Sequence, residues 1–217
     1  MALVGETFAL ALAIAASPFP VVPAILLLFT ARPRPTSLAF LGGWFGGIGL
    51  VAAVFALLAD GISTGGDSPT WLSGVRIVVG AALVAYGVRQ WITRGAAGEL
   101  PGWLRSIDSA TPRTALRVAL LLSVANPKVV LLAAAAGIDI GAAGRPVAAE
   151  LALVVVFTAV ASISVAVPVL AHAIFGARVL PPLQAAKDWL LRNNAAVMAV
   201  VLAVIGLVLI TNGVSGL

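Results

Sequence analysis

The sequence predicts an all-α polytopic membrane protein, six transmembrane helices arranged as a 3+3 inverted repeat, and three features lead there. Of 217 residues, 61% are hydrophobic and 10% charged, with a mean hydropathy of +1.13. Soluble domains are roughly 45–50% apolar and ~25% charged. The apolar residues fall in six long continuous runs rather than short alternating ones, which favours helices over a β-barrel. The first and fourth runs are each interrupted near the middle by a small polar residue and a proline, at Ser17-Pro18 and Asn126-Pro127.

The runs cover about 5–30, 37–59, 71–92, 113–138, 147–175 and 193–213, and a span needs roughly 20 apolar residues. The first begins in "MALVGETFALALAIAASPFP". Glu6 stands where a signal peptide carries positive charge, and the apolar run continues past any cleavage site, so it reads as a retained span. Orientation follows from the basic residues. Arg32 and Arg34, then Arg89, Arg94, Arg105, Arg113 and Arg117, then Arg178, Lys187 and Arg192 all fall on one side. The other side has Arg76 and Arg145 against Glu6, Asp60, Asp67, Asp139 and Glu150. The basic side is therefore expected in the cytoplasm, with the N- and C-termini outside. Residues 1–95 form the first three-span repeat and 113–217 the second, joined by a cytoplasmic interfacial linker at 96–112. Trp103, Leu104 and Ile107 share one helical face, as do Leu183, Trp189 and Leu190 in 181–194, so both segments are expected in the headgroup layer. The net charge of +5 belongs to these loops, and no nucleic-acid partner is expected.

The interruptions carry the chemistry. Ser and Asn are favoured N-caps and proline is favoured at the first helical position, so each break reads as a helix restarting. Proline also removes one backbone hydrogen bond and crowds the carbonyl four residues back. Each span becomes two half-helices, the second presenting an N-terminus with about half a positive charge and unpaired N–H groups. Lys128 sits in the first turn of one of them. A lysine there costs about 2.5–3.5 kcal/mol on insertion scales. Asp139, the nearest carboxylate on the same span, lies about 16 Å along the axis, which favours an aqueous or anionic substrate partner. Paired breaks in corresponding halves mark a transporter binding site. The expected substrate site is Ser17, Pro18 and Pro20 with Asn126, Pro127 and Lys128, taking a carboxylate, phosphate or sulfate.

Other residues are read more plainly. In "GGWFGGIG", Gly42/Gly46 and Gly43/Gly47 are small-xxx-small pairs for close helix packing, and Gly74, Gly80 and Gly87 read alike. Asp60 and Asp139 are candidates for gating or coupling, with a solvated span end as the plainer role. His172, the only histidine, has no Cys or neighbouring carboxylate, which argues against a metal site or catalytic base. Ser162, Ser164 and Pro168 are expected to bend the fifth span or line a cavity. The absence of cysteine excludes disulfides and thiol chemistry. No nucleophile–base, nucleotide or dinucleotide motif is present, so neither an enzyme nor a cofactor is expected.

The broken first span, the Asn-Pro-Lys of the fourth and the 3+3 plan resemble the lysine-exporter (LysE) superfamily. Three stretches, "ALAIAASPFPVVPAILLLFTARPRPTSLAFLGGW", "LPGWLRSIDSATPRTA" and "LLSVANPKVVLLAAAAG", are similar within it to the GAP family of peptidoglycolipid- and sulfolipid-addressing proteins. The resemblance covers nearly the whole chain. It implies movement of amphipathic glycolipids across the plasma membrane of bacteria with lipid-rich envelopes, and it points to the same six residues. That family commonly places asparagine after the lysine, where this chain has Val129. The Pro-Gly-Pro of amino-acid exporters is replaced by Pro18-Phe19-Pro20, which disfavours a small amino-acid substrate.

The expected function is export or flipping of an anionic amphiphile, a (glyco)lipid of the cell envelope, by alternating access around a midplane site in the bacterial plasma membrane. The expected partners are membrane lipids and the amphiphile itself, with a homo-oligomer or envelope-lipid export machinery left open. Two alternatives remain: a small-solute exporter of the same fold, and an accessory factor that assembles a lipid-export machine.

Overall fold

The computed structural model describes residues 2–62, 70–92 and 110–215. Every regular element among them is helical: α1 (Ala2–Ala15), α2 (Pro18–Leu26), α3 (Pro33–Ile62), α4 (Thr70–Ile92), α5 (Pro112–Val124), α6 (Pro127–Gly141), α7 (Val147–Ala161), α8 (Ile163–Phe175) and α9 (Leu180–Ser215). Short 3-10 turns join α2 to α3 at Leu27–Phe29 and α8 to α9 at Gly176–Val179. The face of Trp103, Leu104 and Ile107, and with it most of the linker, lies outside the described residues, as do Asp67, Arg94 and Arg105.

Proline sets the starting points. α2, α3, α5 and α6 each open on one, at Pro18, Pro33, Pro112 and Pro127, where the missing N–H would have had no helical partner. Thr111 caps α5, its hydroxyl accepting from the Thr114 N–H at 3.2 Å. Where proline follows an apolar helix directly the axis bends: 51° between α1 and α2, and 68° between α5 and α6.

Two stretches, Pro33–Asp60 and Ile163–Leu190, are long and apolar enough to cross a membrane by themselves, and each bent pair qualifies as a third and a fourth. Two expected boundaries shift. The stretch 147–175 is divided at Ser162, where the backbone turns out of α7 with φ −93° and ψ −1°. The segment 181–194, expected as a separate interfacial piece, is the first part of α9, which continues without a break through 193–213.

The bundle is built around α3, which lies along both α5 and α6 and touches α7 and α8. α1 packs on α6 and α7, α2 on α8 and α9, and α4 on α9. Small residues set these approaches. A Cβ on Gly43 would meet the Leu116 carbonyl oxygen at 2.6 Å, and one on Gly47 would collide with the Ser123 side chain. Further along, Gly137 and Gly141 of α6 bring it against the backbone of Ala52 and Ala56. Gly42 and Gly46 do not share this role: both are exposed, with open space where a Cβ would stand. Successive helical residues are 100° apart, so the pair one position earlier faces outward while Gly43 and Gly47 face α5. In α4, Gly80 and Gly87 face α9 and Gly74 faces open space.

Ile14, Phe40, Trp44, Ile48, Leu132, Phe157, Val165 and Leu202 fill one continuous core. The outside is also apolar, with Phe8, Leu50, Leu57, Val78, Val155 and Ile174 exposed on five helices. An apolar exterior of this extent is the surface of a protein solvated by lipid. Gly141→Ala is expected to lower stability by about 1–3 kcal/mol through overpacking against Ala56. Gly46→Ala is expected to be neutral, or to gain up to ~1 kcal/mol of helix propensity. Thermal unfolding of the two variants in the same detergent reads the difference.

Candidate functional site

The two breaks are chemically unequal. Asn126 holds an extended conformation (φ −83°, ψ 111°), and its side-chain oxygen accepts from the Lys128 N–H at 3.1 Å. Its carbonyl accepts the first helical bond, from Val130 N–H at 3.0 Å. Asn126 thus caps α6 as its sequence position suggests. Ser17 has the matching backbone, φ −73° and ψ 118°, and is buried, but its side chain makes no capping bond to α2. The chain closes α1 before it instead, with Ala16 N–H donating to Leu12 O at 2.8 Å and Ser17 N–H to Ile14 O at 3.0 Å.

The elements carry the expected residues to different depths. Lys128, in the first turn of α6, is only 5% exposed. Pro20 is buried, Asn126 is half-buried and Pro127 is exposed. Pro18 opens α2. Because α1 packs on α6, the helix that ends at the first break lies against the helix that starts at the second. The α6 N-terminus adds positive potential beside this deeply covered lysine, so the region as a whole favours an anionic group.

Asp60 ends half-buried near the last turn of α3. Asp139 departs from its plainer expected role: it is 5% exposed, enclosed in the bundle rather than at a solvated end. α6 runs on to Gly141, and its small residues let α3 pack close against this end, so the position lies inside the packed region.

Span five holds what sequence reasoning valued least. Glu150, Thr158, Ser162 and His172 are all buried along α7 and α8. Thr158 returns its hydroxyl proton to the Val154 carbonyl at 2.7 Å. Among the described residues, neither oxygen of Glu150, nor Ser162 Oγ, Ser164 Oγ or His172 Nδ1, has a hydrogen-bond partner; the same is true of Trp44 Nε1 on α3. The available signal was periodic. Positions 150, 154, 158, 165 and 172 fall on one helical face, so a polar residue among them faces the core. Among the described residues no group of His, Asp and Glu is arranged to hold a metal ion.

Apolar helices of spanning length, an apolar exterior and a buried lysine at a helix break define an integral membrane protein of the helical-bundle class. The chain belongs to the family of Sap, the sulfolipid-1-addressing protein, whose model it matches over residues 8–215. No curated protein and no solved structure matches it.

Asn126→Ala is expected to cost about 1 kcal/mol through loss of the α6 cap, and Asn126→Ser, which keeps an acceptor, most of that less. Unfolding in detergent by heat or urea measures both. Equal stability of the alanine variant and wild type would remove the cap from the account.

Proposed function

We propose that this protein exports or flips an anionic amphiphile, a (glyco)lipid of the cell envelope, across the bacterial plasma membrane. The observation that carries the reading is Lys128: a buried cation in the first turn of a helix that restarts inside an apolar bundle. A sulfate or phosphate headgroup is the partner for which such a helix N-terminus is suited, and the family's name refers to a sulfolipid.

The 3+3 inverted repeat supports alternating access, and three features of the packing support the repeat. Exchange the halves, so that α1 corresponds to α5, α2 to α6, α3 to α7–α8 and α4 to α9. The contact of α3 with α5 then has its counterpart in α1 with α7, and that of α3 with α6 in α2 with α8. α4 and α9 meet each other, as equivalent elements on a two-fold axis do. At that meeting Gly80 and Gly206 face each other reciprocally, each Cβ position falling 2.6–2.7 Å from the other's carbonyl oxygen. On this plan the Ser17-Pro18 and Asn126-Pro127 breaks are equivalent and lie near the bilayer midplane, with both termini outside. Lys128 holds the headgroup while apolar helix faces accompany the tails.

Lipid mass spectrometry on gently purified protein tests this reading. Wild type is expected to retain a specific anionic lipid that Lys128→Ala loses. Identical bulk lipids in both samples contradict a headgroup site at Lys128 and favour the accessory role, which tolerates the substitution. Co-purification of a small polar anion in place of lipid favours the small-solute exporter.

A further inference from the structure

Glu150 is the strongest anomaly in the interior. It is 2% exposed, and neither of its carboxyl oxygens has a hydrogen-bond partner among the described residues. A glutamate in the first turn of a helix ordinarily faces solvent and complements the dipole. Here its N–H donates to the Pro146 carbonyl at 3.2 Å, while the side chain turns into the bundle. The Arg145 backbone N–H is directed at the carboxyl but falls short of hydrogen-bond geometry with either oxygen.

Among the described residues, the packed helices supply no cationic side chain toward this end. α7 packs against α1, α3, α6 and α8. Their ionisable groups toward this end are Glu6 on α1, Asp60 on α3 and Asp139 on α6, and α8 brings only His172 at its far end. Asp60 is near enough for its charge to act on Glu150. Among the described residues, the basic residue nearest in sequence, Arg145, is exposed in the preceding loop. An ionised carboxylate without a hydrogen bond, in apolar packing beside a second acid, is not a state the interior sustains.

We propose that Glu150 is the site at which this protein binds and releases its coupling proton, exchanging it with the outer side. The inference rests on the transporter reading and adds to it an energy source, for which no nucleotide motif exists. The step is a simple transfer. An O–H bond of hydronium on the outer side breaks, an O–H bond forms at Glu150, and the carboxylate's negative charge is neutralised as a water molecule is left behind. With its proton Glu150 is neutral and α7 can pack. Without it the carboxylate must reach water, which opens the contacts of α7 with α1 and α3 of the first half and α6 of the second. Protonation and the arrangement of the halves are thereby linked.

Two measurements on the full chain test this. Infrared spectra of wild type and the isosteric Glu150→Gln are expected to differ by the carbonyl stretch of one protonated carboxylic acid, present only in wild type. In vesicles of phosphatidylcholine with a fluorescent phosphatidylglycerol as probe, a pH gradient is expected to change the rate of probe movement by roughly ten-fold in wild type, within the usual range of coupling between sites. Glu150→Gln is expected to lose that response. Identical infrared spectra overturn the proton site whatever the lipid does. Probe movement in wild type that is indifferent to the gradient overturns the coupling. Failure of the transporter reading looks different: no probe movement in any sample with the infrared band still present, which also leaves the proton nothing to drive.

Discussion

A backbone polar group without a partner is costly in lipid, by several kcal/mol. A chain that breaks its helices inside an apolar bundle must therefore recover every bond the break releases. This chain does so locally at Asn126, whose side chain takes the Lys128 N–H and whose carbonyl takes that of Val130. At Ser17 it closes the preceding helix instead and lets proline supply a residue that has no N–H to satisfy. The rest of the arrangement depends on these two solutions, because they fix where α2 and α6 start and hence where Lys128 is buried.

Close packing provides the enclosure. Gly43 and Gly47 seat α5 on α3, and Gly137 and Gly141 seat α6 on the same helix beyond the bend. α3 thus spans the broken pair like a splint, touching both half-helices. Without side chains at those four positions the two backbones come close enough to exclude lipid. The polar interior of Lys128, Asp139, Glu150 and Thr158 then sits inside an apolar shell. Ionisable groups so placed are expensive, and in membrane proteins they mark substrate or proton pathways.

Short-range chemistry was legible in the sequence and tertiary partnership was not. Asn126-Pro127-Lys128 announces a cap, a restart and a first-turn cation within three residues, and the structure places all three accordingly. The glycine pairs show the limit. Gly42/Gly46 and Gly43/Gly47 are identical as patterns, and only the position of α5 decides that the second pair packs. Ser162 ends α7 with no proline after it, so the dipeptide signal that revealed the other breaks is missing. Glu150 stands near a span end, where an acid ordinarily meets solvent; its helical face, shared with Val154 and Thr158, is the better guide to its burial.

The claim on which the account depends is that the two breaks open on one shared, headgroup-binding space within the membrane. The native chain has no cysteine, so a single one can be placed at Ser17 or at Asn126 and tested with a charged, membrane-impermeant thiol reagent in vesicles. Cysteines at both positions are predicted to react, and phosphatidylglycerol added to phosphatidylcholine vesicles is predicted to slow both. A cysteine at the exposed apolar position Leu50 is predicted to stay unmodified in either lipid. Reaction at only one break, or rates at both that ignore the anionic lipid, would contradict a common site.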